Sequence, residues 1–215
     1  MDHVLTHLNE RFADIMVKPL KTFRGDSFQG VIGVPSKAVE VTVYARLFFL
    51  AVFRSCKRKA GNRLEGAQER TNSELAKIKI AEKLLRLDVR LSIAVGFADL
   101  LEPDEESWGA PFVNSGSALD KIKQWERTTL IIPSPEGNSE LQVACSFLDA
   151  LASRWTDEQL RVLVAMFQHK NQKAVAKELG KTQGTVSVTL AKFGYRAIEA
   201  LSKRFAELIH LQLSV

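Results

Sequence analysis

Side chains suited to contacts with a base pair are concentrated in one short stretch of the chain. Gln183 carries an amide that can pair with the edge of adenine, and Val188 can contact the methyl group of thymine. Thr185 and Ser187 carry hydroxyls that can bond to a base or to a phosphate. Gly184 lies among them without a side chain, which would let a nucleic acid approach the backbone closely. These residue types predict contacts with the base edges of a DNA duplex.

Basic residues flank this stretch on both sides and could supply the phosphate contacts. Residues 151–215 contain ten Lys and Arg against five Asp and Glu, whereas residues 1–150 contain equal numbers of each. The whole net charge of +5 therefore lies in the last third of the chain, as expected of a phosphate-binding module joined to a neutral one. The predicted phosphate contacts are Lys170, Lys173, Lys181, Lys192 and Arg196.

Three helices are predicted to position these side chains. Thr156 caps the first, a second runs over residues 172–179, and Thr182 caps the third, which continues to about residue 193. Thr182 is also counted among the predicted DNA contacts. A small residue at Ala176 and a glycine at Gly180 suit the close crossing and tight turn of a helix-turn-helix unit. The alternative is a helical hairpin that only packs against the rest of the chain.

A resemblance supports the first of these interpretations. Residues 171–190, NQKAVAKELGKTQGTVSVTL, resemble the helix-turn-helix of bacterial regulators and of sigma factor region 4. The Thr-Val-Ser stretch at 185–187 is typical of their recognition helices. The resemblance implies double-stranded DNA as the partner, with the third helix in the major groove.

A further helix is predicted over residues 195–213. Ile198, Leu201, Phe205 and Leu208 recur at helical spacing and form one apolar stripe. This stripe could be the seam of a homodimer, which would suit a palindromic operator. It could equally pack against its own domain.

The first 150 residues predict an α+β domain. Helices mixed with antiparallel strands indicate a ferredoxin-like arrangement for residues 1–150, followed by an all-α helix-turn-helix domain over 151–215. The predicted helices cover residues 3–20, 36–57, 73–85, 114–125 and 140–154. A hairpin is expected over 22–34, strands over 89–97 and 129–132, a loop over 56–72, and a turn over 133–139.

The predicted hairpin carries a second resemblance. Residues 21–32, KTFRGDSFQGVI, resemble the hairpin of class III nucleotide cyclases and GGDEF-type cyclases, and with the DNA module the chain looks closest to the SatD family. The resemblance implies that Asp26 is a metal-binding carboxylate for Mg²⁺ and that Gly25 lets a nucleotide phosphate come close. It also implies a cyclase-like fold that senses a nucleotide effector or forms the dimer.

Catalysis in that domain would need more than one carboxylate to hold cations against a triphosphate. In the cyclases the other aspartate lies on a strand before the first helix, but here Met1 leads almost directly into a helix, so this first strand is not evident. Asp99 is the other acid worth considering. Asp26 is therefore read as a structural turn residue, as a ligand or cation site without turnover, or as a catalytic residue. No catalytic residue is assigned.

The remaining features indicate an ordinary cytoplasmic protein. No apolar run approaches the roughly 20 residues that span a bilayer, and no export leader is evident. Cys56 and Cys145 are expected to be buried, reduced thiols, although a disulfide is conceivable. The histidines show no metal spacing apart from the pair His3 and His7. The sequence thus predicts a prokaryotic transcriptional regulator that binds DNA. The alternative is a nucleotide cyclase or nucleotidyltransferase that uses Asp26 and a divalent metal.

Overall fold

The computed structural model describes residues 1–25, 27–65, 88–98 and 109–213. Within these ranges the chain is a mixed α and β protein in which helices predominate. Its first part consists of helix α1 (Asp2–Arg11), strands β1 (Met16–Arg24) and β2 (Ser27–Ile32), a turn of 3-10 helix (Pro35–Lys37) and helix α2 (Ala38–Glu65). Then follow strand β3 (Leu91–Ala94), helix α3 (Ala110–Lys121), strand β4 (Thr128–Ile131) and helix α4 (Pro135–Ala152). The last part contains helices α5 (Asp157–His169), α6 (Gln172–Glu178), α7 (Gln183–Phe193) and α8 (Tyr195–Leu213).

The described strands form two separate two-stranded sheets. Strands β1 and β2 are antiparallel, with Lys21 opposite Gln29, so the predicted hairpin is confirmed. Strands β3 and β4 are parallel, with Leu91 opposite Thr128, which differs from the antiparallel pairing expected. Parallel strands need a crossover connection, and α3 lies between them in the chain and packs against β3. The mixed α and β class is thus confirmed, whereas the ferredoxin-like arrangement stays a prediction.

The helix predicted over residues 3–20 is much shorter, because α1 ends at Arg11 and β1 takes up the rest. Pro19 cannot donate a backbone hydrogen bond inside a helix, and Val17 favours extended backbone. The side chain of Asn9 accepts a hydrogen bond from the Leu20 N–H at 2.7 Å and donates one to the Leu20 carbonyl at 2.9 Å. These two bonds replace a partner strand along that edge of β1.

The ends of several other helices and strands differ from the predicted ones because of local interactions. Helix α2 continues to Glu65, through the first part of the loop predicted over residues 56–72, in a stretch rich in helix-forming Lys, Arg and Leu. Helix α4 begins at Pro135, inside the predicted turn, because Ser134 accepts a hydrogen bond from the Gly137 N–H and proline suits the first helical position. The strand predicted over residues 89–97 is confined to β3, and the helix predicted over 73–85 lies outside the described residues.

Helix α2 is at the centre of the core. Tyr44 and Leu47 are fully buried, and α1, α5 and α8 all pack against this helix. The buried side chains form a single hydrophobic cluster that runs from Val4 to Ile209 and so crosses the boundary predicted at residue 150. Whether the two halves are separate domains stays a prediction, but they share one core.

Candidate nucleic-acid interface

Helix α5 begins with a complete capping box. The Thr156 hydroxyl accepts a hydrogen bond from the Gln159 N–H at 3.2 Å, and the Gln159 side chain accepts one from the Thr156 N–H at 2.8 Å. Asp157 and Glu158 then place negative charge in the first turn, where the helix dipole favours it. The helix ends at Lys170, whose backbone is left-handed at φ 53°. The cap that was predicted at Thr156 is confirmed.

Helices α6 and α7 are also delimited by local signals. The Asn171 side chain caps α6 by accepting a hydrogen bond from the Lys173 N–H at 2.8 Å. Gly180 then takes φ +63°, a conformation that strains residues with a side chain, and turns the chain towards α7. The Thr182 hydroxyl caps α7 by accepting a hydrogen bond from the Thr185 N–H at 3.1 Å. The predicted turn at Gly180 and the predicted cap at Thr182 are therefore present, and the Asn171 cap was not predicted.

Helix α7 has one buried and one exposed face. Val186, Leu190 and Phe193 are buried, and the Phe193 ring stacks on Trp155 with 4.1 Å between ring centroids. The opposite face is exposed and presents predicted base-reading residues. The exposed residues of this face are Gln183, Gly184, Ser187, Val188, Ala191 and Lys192, of which Ala191 was not a predicted contact and Lys192 was a predicted phosphate contact. A helix whose inner face is fixed in the core can offer the outer face to a partner without rearranging.

Two of the predicted contact residues are engaged within the chain. The hydroxyls of Thr182 and Thr185 lie 2.9 Å apart and bond to each other, in addition to the cap that Thr182 provides. Their side chains therefore shape the start of α7. Gln183, Ser187 and Val188 form no side-chain hydrogen bond or ion pair with another described residue and are left to face outward.

The predicted phosphate contacts fall into two groups. Lys181 forms an ion pair with Glu158 at 2.6 Å, and the Lys170 ammonium lies 3.8 Å from the Glu40 carboxylate. Lys173, Lys192 and Arg196 are exposed and form no ion pair within the described ranges. No Asp or Glu occurs between residues 178 and 199, so no acidic residue within that stretch offsets its positive charge.

Arginines of the first half hold α5 at both ends. Arg54 donates a hydrogen bond to the Trp155 carbonyl and lies 3.6 Å from the Asp157 carboxylate. Arg11 donates to the Phe167 carbonyl at 2.6 Å, at the other end of the helix. The Tyr44 ring packs edge-on against Phe167. Helix α5 is thereby fixed on α2, and it supports α6 and α7 in turn.

The apolar stripe of α8 is buried in its own chain. Ile198, Phe205, Leu208 and Ile209 are each less than a tenth exposed, and α8 packs against α2, α4, α7 and the 3-10 turn. The reading in which this helix packs on its own molecule is the one observed. The stripe is therefore not available as the seam of a homodimer.

A buried charge cluster escaped prediction. The Arg46 guanidinium is 2% exposed and pairs with Asp149, with Asp88 at 2.7 Å and with the Thr128 hydroxyl at 3.2 Å. The second oxygen of Asp149 accepts hydrogen bonds from the N–H groups of Arg127 and Thr128. This cluster joins α2 and α4 to the start of β4. The sequence feature that could have indicated this cluster is a single arginine, Arg46, within the apolar run of α2.

The candidate cyclase site is described only in part. Gly25 forms the turn between β1 and β2 with φ +60°, and an added Cβ there would meet no atom within 4 Å. The glycine is therefore explained by the backbone of the turn. Asp26 and Asp99 lie outside the described residues. Among the residues that are described, no group of three or more His, Cys, Asp and Glu side chains could hold a metal ion.

The histidine and cysteine predictions have separate outcomes. His7 bonds to the Tyr44 hydroxyl at 2.8 Å and stacks on Phe48, and burial is the main cause that lowers its pKa. Both cysteines are free, as expected, although Cys56 is exposed and not buried. Burial, and secondarily the nearby Asp149, raise the pKa of Cys145 to about 12.

Comparisons with known proteins gave no relative. No protein-family model, curated protein or solved structure matches the chain. Within the part of the chain that the structure describes, no helix has both the length and the apolar character needed to cross a bilayer.

Proposed function

We propose that this protein binds double-stranded DNA in a sequence-directed manner and acts as a transcriptional regulator, with α5, α6 and α7 as a helix-turn-helix unit. The observation that carries the proposal is the outer face of α7. That face is exposed, free of carboxylates and fixed from behind by Val186, Leu190 and Phe193. A DNA major groove accepts a helix of this kind, and its phosphates attract the flanking cations.

Base readout is assigned to the side chains that the fold leaves free. Gln183 would form a two-point contact with adenine, Ser187 would bond to a base or phosphate, and Val188, 55% exposed, would meet a thymine methyl group. Thr182 and Thr185 contribute by fixing the first turn of the helix.

Phosphate contacts are assigned to Lys173, Lys192 and Arg196. None of the three forms an ion pair with another described residue, so none would have to break one to meet a phosphate. Lys181 would have to share its charge with Glu158, and Lys170 lies close to Glu40. These two lysines are therefore expected to contribute less.

The first half of the chain would hold the DNA-binding unit and supply sensing or dimerisation, as the resemblance to the SatD family implies. The contacts of Arg11 and Arg54 with the two ends of α5 support this role, because a change in α1 or α2 would reach the unit directly. A ferredoxin-like, cyclase-related fold for this half belongs to the same proposal, as does a cytoplasmic, prokaryotic setting.

The test is selection of duplexes from a random pool with the full chain. The proposal expects one enriched sequence and binding that weakens steeply with salt. Gln183→Ala should relax the preference at one position, whereas Lys192→Ala should weaken binding to all duplexes and reduce the salt slope by about 1. Lys121→Ala, which removes an exposed lysine on α3, is the matched control and should bind as the wild type does.

Point variants are preferable to truncation. Removal of residues 156–215 would uncover the part of α2 that packs against α5, and the remaining fragment would expose its core. Absence of an enriched sequence, together with equal binding by the Lys192 and Lys121 variants, would refute the proposal.

The alternative function is a nucleotide cyclase or nucleotidyltransferase that uses Asp26 and a divalent cation. Its support is the confirmed hairpin with the left-handed Gly25 at its turn. Incubation of the full chain with nucleoside triphosphates and Mg²⁺ or Mn²⁺ tests it. Product formation that is lost in Asp26→Ala would support the enzyme, and no product from either chain would exclude it under those conditions.

A further inference from the structure

We infer that this protein forms a two-fold dimer through the outer face of α4, with the α4 helices of two copies packed antiparallel. The surface consists of residues at heptad-like spacing on that face, here called the α4 stripe. The α4 stripe is Glu140, Val143, Phe147 and Ala150 on the helix, together with Arg154 in the turn that follows it, where the Arg154 N–H donates to the Leu151 carbonyl at 3.0 Å. This inference does not rest on DNA binding, because it concerns the mass of the protein in solution.

The α4 stripe is apolar where an exposed helix face is normally polar. Val143 is 58% exposed and Phe147 is 69% exposed, and Ala150 continues the row. The opposite face of α4 is already buried in the core through Leu141 and Leu148. The exposed apolar side chains therefore cannot be explained as the core face of the helix, and a row of them at a spacing of three and four residues is the pattern of a helix–helix seam.

The charges at the two ends of the α4 stripe identify a second copy of the chain as the partner. Glu140 and Arg154 each lie seven positions from Phe147, one before it and one after it, although the helix itself ends at Ala152. Seven residues of helix span about 10.5 Å. A two-fold axis at Phe147 would bring the two phenylalanines together and place each Glu140 opposite the partner's Arg154. The stripe is therefore complementary to itself in the antiparallel sense.

The ion-pair partners of these two residues are consistent with that arrangement. Arg154 is exposed and forms no ion pair within the described part of the chain. Glu140 accepts hydrogen bonds from Arg204 at 2.7 and 3.1 Å, and a carboxylate has further acceptor sites for a second guanidinium. A dimer of this kind would not need the α8 stripe, which is buried within its own chain.

The experiment is sedimentation velocity of the full chain over a concentration series from about 1 µM to about 200 µM, chosen because a short seam gives modest affinity. The wild type should pass from monomer to dimer. Phe147→Glu should raise the dissociation constant at least about 100-fold, since it places two carboxylates at the axis. Val113→Glu is the matched control, because Val113 is 68% exposed on α3 and lies outside the stripe. Circular dichroism should report the same helix content for all three chains.

A second pair of variants tests the antiparallel sense. Arg154→Glu should weaken the dimer about tenfold, because it faces Glu140 of the other copy with a like charge. Arg161→Glu changes the net charge equally on α5 and should leave the dimer unchanged. A monomer throughout the wild-type series, or a dimer indifferent to Phe147→Glu, would overturn the inference. A dimer that responds as expected but binds no DNA would leave the inference intact and remove only the proposed function.

Discussion

Gly184 is a residue that the fold of the free protein does not require. It is exposed on α7, it has no left-handed backbone, and an added Cβ would meet only the Thr182 hydroxyl oxygen at 3.8 Å, an ordinary contact. Glycine in a helix costs roughly 0.5–1 kcal/mol relative to alanine. A glycine on the proposed contact face would let a partner come close to the backbone there.

Gly184→Ala should therefore stabilise the free protein by roughly 0.5 kcal/mol in urea unfolding and weaken duplex binding about tenfold or more. The matched control is Gly116→Ala on α3, where an added Cβ meets nothing within 4 Å. That variant should gain similar stability and bind DNA normally. Equal affinity in both variants would show that no partner approaches Gly184.

Cys145 predicts how stability depends on pH. Its folded pKa of about 12 lies above the unfolded value of 9.0, so the stabilisation is complete below pH 9 and is lost as the pH rises towards 12. Between those values the unfolded thiol releases its proton and the folded one does not, which lowers the free energy of unfolding by up to about 1.4 kcal/mol per pH unit. Urea unfolding under reducing conditions measures the decrease in the free energy of unfolding between about pH 8 and about pH 10. That decrease should be smaller for Cys145→Ala than for the wild type. Cys56→Ser, at the exposed cysteine, should lose as much stability as the wild type.

At the scale of the element, the beginning of α7 combines a structural and a binding role. Thr182 caps the helix through its hydroxyl, and its side chain lies at the edge of the proposed DNA contact face. An aspartate would accept the same hydrogen bond, and the helix dipole would stabilise its negative charge. That charge would, however, lie close to the phosphates. The two roles can therefore be separated by substitution.

Thr182→Asp should keep the free energy of unfolding within about 0.5 kcal/mol of the wild type, whereas Thr182→Ala should lose about 1 kcal/mol with the cap. Duplex binding should fall about tenfold or more in Thr182→Asp, because of repulsion from phosphate. Urea unfolding and fluorescence anisotropy on the selected duplex measure the two effects. Wild-type affinity in Thr182→Asp would place this turn away from the DNA.

At the scale of the whole molecule, the buried cluster around Arg46 joins elements that are distant in sequence. Arg46 contacts Asp149 across 103 positions of the chain and Asp88 across 42. A buried pair is weak evidence of net stabilisation, but removal of Asp149 would leave the buried Arg46 with only Asp88, which is 20% exposed, as a counter-charge among the described residues. The cluster is expected to fix the position of α4 on α2.

Asp149→Asn should lower the free energy of unfolding by about 1–3 kcal/mol, since Arg46 would lose one of two counter-charges and keep Asp88. The double variant Arg46→Met with Asp149→Asn should recover part of that loss, because it removes the buried positive charge and keeps an acceptor for the N–H groups of Arg127 and Thr128. Thermal and urea unfolding measure both, and Asp157→Asn, at a carboxylate that is 37% exposed, should cost far less. Similar losses in the single and double variants would show that packing, and not charge, is what the cluster contributes.

Prediction from sequence succeeded where interactions between near neighbours decide the local structure, and it failed where a distant partner decides it. The caps at Thr156 and Thr182 and the turn at Gly180 depend on interactions within three or four residues, so the sequence predicted them correctly. Across residues 3–20 the prediction of a helix was wrong, because the bonds from Asn9 to Leu20 favour a strand whose pairing partner comes later in the chain.

The sequence by itself determined the capped helices of the last third, the confinement of net positive charge to that third, and the outward residues Gln183, Ser187 and Val188. These features depend on near neighbours along the chain. The tertiary structure alone decided that the α8 stripe is buried, that Arg46 meets Asp149 and that Phe147 is left exposed. An amphipathic pattern states only that a face is apolar, and which surface covers that face depends on contacts between residues that the chain brings together from far apart.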